Sequence, residues 1–121
     1  MSNQPQPQPQ PRPLAFALTV RPDRERLVVE PRGELDLATA DVLRGALADA
    51  LDDGWAEVVV DLRRLTFLDS QGVHALLDAR ATYEQSASRM TIVDGVPAVA
   101  RVLEITGVRT AFVAARGPVP H

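Results

Sequence analysis

Three consecutive β-branched residues, Val58-Val59-Val60, lie between two helical patterns. That placement constrains the fold more than any other feature of the chain. A continuous apolar run of this kind suits a strand buried on both faces, as in a parallel sheet whose crossover helices cover it. Upstream, Val42, Leu43, Ala46, Leu47, Ala50 and Leu51 fall on one helical stripe. Thr39 stands where it can cap this helix, Asp41 lies in the first turn, and Gly54 follows as a left-handed stop. Downstream, Val73, Leu76, Leu77 and Ala81 give the inner face of a second helix that begins near Ser70 and has Tyr83 near its end. Helix, buried strand and helix in this order call for a layered α/β domain.

The other segments extend the pattern. Leu14–Val20 reads as a first strand, Arg21-Pro22-Asp23-Arg24 as a turn, and Leu27–Val29 leading to Leu35 as a second strand, so the two form a hairpin. Pro31 has no N–H to give a ladder, which predicts an edge position or a bulge. Thr66-Phe67-Leu68 either extends the valine strand or packs beside it. Met90–Val93 is a further strand, and Pro97 opens a third helix with Val99, Val102 and Leu103 inward and Gly107 at its end. Val108–Val113 supplies a last strand. The expected fold is a single α/β domain with a mixed, partly parallel sheet packed with helices, in the order β-β-α-β-α-β-α-β.

Residues 1–13 hold prolines alternating mostly with glutamine, a pattern of extended, solvated chain that is expected to be disordered. Residues 14–116 form the domain, and 117–121 fray. A core of that size buries roughly 65% of the unfolded chain's surface. The net charge is −3, and all 13 basic residues are arginines scattered among acidic ones. With no basic stripe, nucleic acid is not an expected partner. There is no cysteine, so thiol and disulfide chemistry are excluded. No apolar run approaches the roughly 18 residues of a membrane span, and no secretory h-region is visible. A cytoplasmic protein without membrane attachment is expected.

Leu65-Thr66-Phe67-Leu68-Asp69-Ser70-Gln71-Gly72-Val73 is the candidate functional segment. It puts Ser70 at a strand-to-helix junction, where a hydroxyl is held still and unpaired backbone N–H groups favour an anion. From position alone Ser70 can be a simple cap, and Asp69 can be an N-cap for the next turn. His74 lies four residues on, so it and Ser70 can share one helix face, half-exposed. A Ser-His-Asp triad is disfavoured. A nucleophile elbow needs glycine two residues before the serine, where Leu68 stands. Triad members also normally come from separate elements. Two histidines, no cysteine and no clustered carboxylates offer no metal site, and the scattered glycines make no phosphate-cradling loop. No cofactor and no enzymatic activity are expected. Trp55 reads as a packing residue.

Two motifs give the chain a family likeness. Gly33-Glu34-Leu35-Asp36 followed by Thr39-Ala40, and Phe67-Leu68-Asp69-Ser70-Gln71-Gly72-Val73, resemble the conserved segments of the STAS domain family, specifically the bacterial anti-sigma factor antagonists. Leu103-Glu104-Ile105-Thr106-Gly107-Val108 is a third, weaker match. The resemblance implies a regulatory binding module whose partner is an anti-sigma factor serine kinase. Ser70 would be the phosphoacceptor, Asp36, Asp69, Gln71, Gly72 and His74 would contribute to partner binding, and a serine phosphatase would reset the protein. A scaffolding STAS module whose Ser70 is never modified is the alternative. Gln71 stands where the family usually has Ser or Thr, and Val73-His74 where Leu-Gly is common. A phosphorelay receiver, also α/β and of this length, needs a lysine, and the chain has none.

Overall fold

The computed structural model describes residues 16–108. The elements are β1 (Ala17–Asp23), β2 (Arg26–Leu35), α1 (Ala40–Asp52), β3 (Glu57–Asp61), β4 (Leu65–Leu68), α2 (Ser70–Glu84), β5 (Arg89–Val93) and α3 (Pro97–Ile105). The five strands form one mixed sheet in the order β1-β2-β3-β5, with β4 beside β2. β1 and β2 are antiparallel, and the β2–β3, β2–β4 and β3–β5 pairs are parallel. Thr66-Phe67-Leu68 is therefore part of a separate strand, which adds β4 to the expected order.

Three expectations need correction. β1 continues through Pro22 to Asp23, paired with Arg26, so the turn is only Arg24-Glu25. Arg24 supplies the left-handed corner with φ of 62°. Second, β2 is an interior strand, and Pro31 is not at an edge. Pairing with β3 ends at Val29 and pairing with β4 begins at Gly33, so Pro31 falls between the two parallel ladders. The irregularity expected near it occurs between Gly33 and Glu34. Third, Ala81 is exposed, and α2 instead buries Gly72, Val73, Ala75, Leu76 and Tyr83. Val108 is helical and buried. The rest of the last expected strand, the Pro/Gln segment and 117–121 lie outside the described residues.

One core joins sheet and helices. Leu27, Val29, Leu35, Val58 and Val60 from the sheet meet Leu43 and Leu47 of α1, Val73 and Leu76 of α2, and Val99 and Leu103 of α3. Val59 points to the opposite face and is buried as well. Gly54 has φ of 84°, so α1 ends in the left-handed region open to glycine. Tyr83 donates its hydroxyl to the Leu47 carbonyl at 2.6 Å, tying the end of α2 to the middle of α1. Burial pushes the phenol up to about 12. Trp55 is half-buried against this core, as expected of a packing residue.

Asp61, which the sequence reading did not single out, is a buried carboxylate at the end of β3. Arg63 closes a fork on it, with Nη2 to Oδ2 at 2.8 Å and Nε to Oδ1 at 3.0 Å, and its backbone N–H also donates to Oδ1. The Arg63 side chain holds the Asp61 carboxyl below the usual range, against the opposing effect of burial. This turn leads the chain out of β3 and toward β4, and so positions the segment that carries Ser70.

Candidate functional site

The site forms where β2 and β4 end side by side. Leu35 is in register with Leu68, and the next residue, Asp69, donates its N–H to the Leu35 carbonyl at 3.1 Å. Because the strands are parallel, both chains leave the sheet at the same end. The Asp36–Thr39 turn and the Asp69-Ser70 junction are thus neighbours, although they are 33 residues apart in sequence.

Each junction is fixed by an aspartate. Asp69 is extended (φ −106°, ψ −173°), and its Oδ1 accepts from the N–H groups of Gln71 at 2.8 Å and Gly72 at 3.1 Å. It is the N-cap of α2. Asp36 holds the turn that leads into α1, whose N-cap position is Thr39. The Asp36 Oδ1 accepts from the N–H groups of Ala38 at 3.0 Å and Thr39 at 3.2 Å, while its carbonyl accepts from Ala40. Thr39, the expected cap, does not cap α1 with its side chain. Its hydroxyl turns back, donating to the Glu34 carbonyl at 2.8 Å and accepting from the Asp36 N–H at 2.9 Å. The GELD…TA segment is therefore a closed hydrogen-bonded turn, with Asp36 as its hub.

Ser70 is the first residue of α2, it is exposed, and its hydroxyl makes no hydrogen bond among the described residues. His74 is exposed, rather than half-exposed, and Gln71 is half-buried. Gly72 is buried. A Cβ there would meet Leu68 Cδ1 at 2.5 Å and the Leu35 carbonyl oxygen at 2.9 Å. Gly72, expected to contribute to partner binding, instead lets the domain's own β2 pack close. Asp69 commits its Oδ1 to backbone donors and makes no hydrogen bond to His74. Two exposed apolar side chains join this end of the sheet: Leu37 in the Asp36–Thr39 turn, 73% exposed, and Phe67 of β4, 48% exposed. The sequence reading took Phe67 as part of a strand and of a motif, and passed over Leu37. An apolar residue between Asp36 and the Thr39 turn was the available signal.

A sequence profile described as "Mlab, STAS domain" matches residues 18–114. The chain belongs to the STAS domain family. It is 33% identical over 82 residues to the anti-sigma F factor antagonist of Paenibacillus polymyxa, covering 67% of this chain and 70% of that protein. An anti-sigma factor antagonist from Mycobacterium paratuberculosis superposes with a TM-score of 0.75 at 27% identity, over 84% of this chain and 86% of that one. The anti-sigma factor antagonist SpoIIAA matches at 28% identity both in its unphosphorylated form and, from Bacillus, in its phosphorylated form. The TM-scores are 0.64 and 0.60, over 88% and 81% of this chain and 100% and 87% of SpoIIAA. No helix among the described residues is long and apolar enough to cross a membrane, and none of their His, Asp and Glu side chains cluster as a metal site.

Proposed function

We propose that this chain is an anti-sigma factor antagonist switched by phosphorylation of Ser70. Unmodified, it binds an anti-sigma factor kinase in the cytoplasm through the end of the sheet where β2 and β4 finish. Asp36, Asp69, Ser70, Gln71 and His74 form the polar part of that surface, and Leu37 and Phe67 are its apolar contacts. Gly72 acts from beneath, by seating the first turn of α2. The kinase then transfers the γ-phosphoryl group of ATP to the Ser70 oxygen. An O–P bond forms, the bond to ADP breaks, and the partner's base takes the hydroxyl proton. Release follows, and a serine phosphatase restores the hydroxyl.

The observation that carries this reading is Ser70 itself: exposed, fixed at the first position of α2, and with a hydroxyl that makes no hydrogen bond among the described residues. A phosphate there adds about −1.5 to −2 charges. The helix dipole favours that charge by roughly 0.3–1 kcal/mol, and Asp69 opposes it, so the fold changes little. At an interface shaped for a neutral hydroxyl, an unpaired buried charge costs about 2–5 kcal/mol, or roughly 30- to several thousand-fold in affinity. The switch thus acts on the interface and leaves the domain folded. Incubation with ATP and candidate anti-sigma kinases, read by phosphopeptide mass spectrometry, tests it. Phosphate is expected on Ser70, and a negative result with every anti-sigma kinase of the source organism would favour a scaffolding role.

A further inference from the structure

Ser70, His74 and Asp78 follow one another at intervals of four along α2 and share one face. Asp78 is already engaged, because Arg44 of α1 donates through Nη2 to its Oδ2 at 3.2 Å and through Nη1 to Asp41 Oδ1 at 3.0 Å. The Asp69 and Asp36 carboxylates hold backbone N–H groups. β4 carries no charged residue, Arg89 of β5 lies at the far end of the sheet, and Asp49 and Asp52 sit in the last turns of α1. The carboxylates of Asp36, Asp69 and Asp78 are engaged, while that of Glu34 on β2, exposed and in register with Phe67, makes no hydrogen bond or ion pair among the described residues. His74 has no such partner among the described residues, and it is exposed. Helical side chains lean toward the helix N-terminus, so the imidazole of His74 leans over the turn that Ser70 opens.

We propose that His74 is the internal partner of phosphorylated Ser70, pairing its imidazolium with the phosphate and holding it against the first turn of α2. The proposal rests on Ser70 being the phosphoacceptor. Residues four apart on a helix have Cβ atoms about 5–6 Å apart, within reach of an imidazole and a phosphate. The second ionisation of a phosphoserine lies near pH 6, in the range where a histidine takes up its proton. Each charge favours the other, so the phosphate loses its last proton more readily when His74 is present. Below about pH 6 the phosphate keeps that proton and carries less charge. Phosphorylation then disrupts partner binding less in acid than at pH 8.

The test uses the full chain with phosphoserine installed at position 70 by genetic-code expansion, so it runs whether or not any kinase modifies Ser70. The phosphorus resonance is titrated by NMR in the His74 protein and in its His74→Gln and His74→Arg variants. Loss of the pair in His74→Gln should raise the phosphate midpoint by roughly 0.3 pH unit. The permanently charged His74→Arg should return it to, or below, the parent value. Circular dichroism should show all three folded, since His74 is exposed and makes no hydrogen bond among the described residues. An unchanged midpoint in His74→Gln would overturn the pairing while leaving the phosphoacceptor reading standing. Failure of kinases to modify Ser70 would remove that reading but leave the titration interpretable.

Discussion

Replacing Asp69 separates what its oxygen does from what its charge does. Asp69→Ala removes the acceptor that holds the Gln71 and Gly72 N–H groups at 2.8 and 3.1 Å. Loss of an N-cap typically costs about 0.5–2 kcal/mol. Here two donors lose their partner and one, on Gly72, is buried, so a loss of about 1.5 kcal/mol is expected. Asp69→Asn keeps an oxygen in place. Asparagine caps about as well as aspartate, leaving only the charge–dipole contribution, about 0.5 kcal/mol. For a domain of this size these losses correspond to roughly 6–12 °C and 2–4 °C in Tm. Urea unfolding followed by the fluorescence of Trp55, the single tryptophan, gives both values, with an unchanged m-value confirming that only stability moved. A kinase assay on the same proteins then separates positioning of Ser70 from recognition of the charge. Positioning predicts near-normal phosphorylation of Asp69→Asn and slowed phosphorylation of Asp69→Ala. Equal stability losses in the two variants, or none in Asp69→Ala, would refute the cap.

Gly72→Ala gains helix propensity but drives a Cβ to 2.9 Å from the Leu35 carbonyl oxygen, a backbone atom that cannot turn aside. A net loss of about 1–3 kcal/mol is expected in denaturant titrations. Tyr83→Phe removes the bond to the Leu47 carbonyl and should cost about 1 kcal/mol at neutral pH. Because the folded phenol is raised above its unfolded value of 10.0 to about 12, its contribution is full below pH 10 and lost as pH rises to about 12. Melting curves across that range should fall more steeply for the parent protein than for Tyr83→Phe. Asp61 has the opposite sign: its folded pKa is depressed, so its contribution is present above the unfolded value of about 3.9 and lost as pH falls below it. Acid titration of Asp61→Asn should lack that part of the decline.

Most of the fold was legible because its signals are local and periodic. The helical stripes of α1 and α3, the buried valines of β3 and the left-handed Gly54 depend on short-range patterns, although Val42, expected on the α1 stripe, is 50% exposed. What escaped depends on pairing. Leu65–Leu68 is too short for its own pattern to mark it as a strand, and its identity comes from lying beside Gly33–Leu35. Pro31 suggested an edge because the change of partner from β3 to β4 is a property of the sheet. At the site, the junction serine and its aspartate were readable from position. The roles of Thr39 and Asp36 were not, since a threonine one residue before a helix looks like a cap until its hydroxyl is seen turned toward Glu34. Gly72 was read outward for the same reason: only the approach of Leu35 shows that it faces in.

The most direct test is to titrate an anti-sigma factor kinase with the chain in three forms by isothermal calorimetry: unmodified, Ser70→Ala, and carrying phosphoserine at position 70. The unmodified and Ser70→Ala proteins should bind with similar affinity, and the phosphorylated form roughly 30-fold or more weakly. Equal binding by the phosphorylated and unmodified forms would contradict the switch.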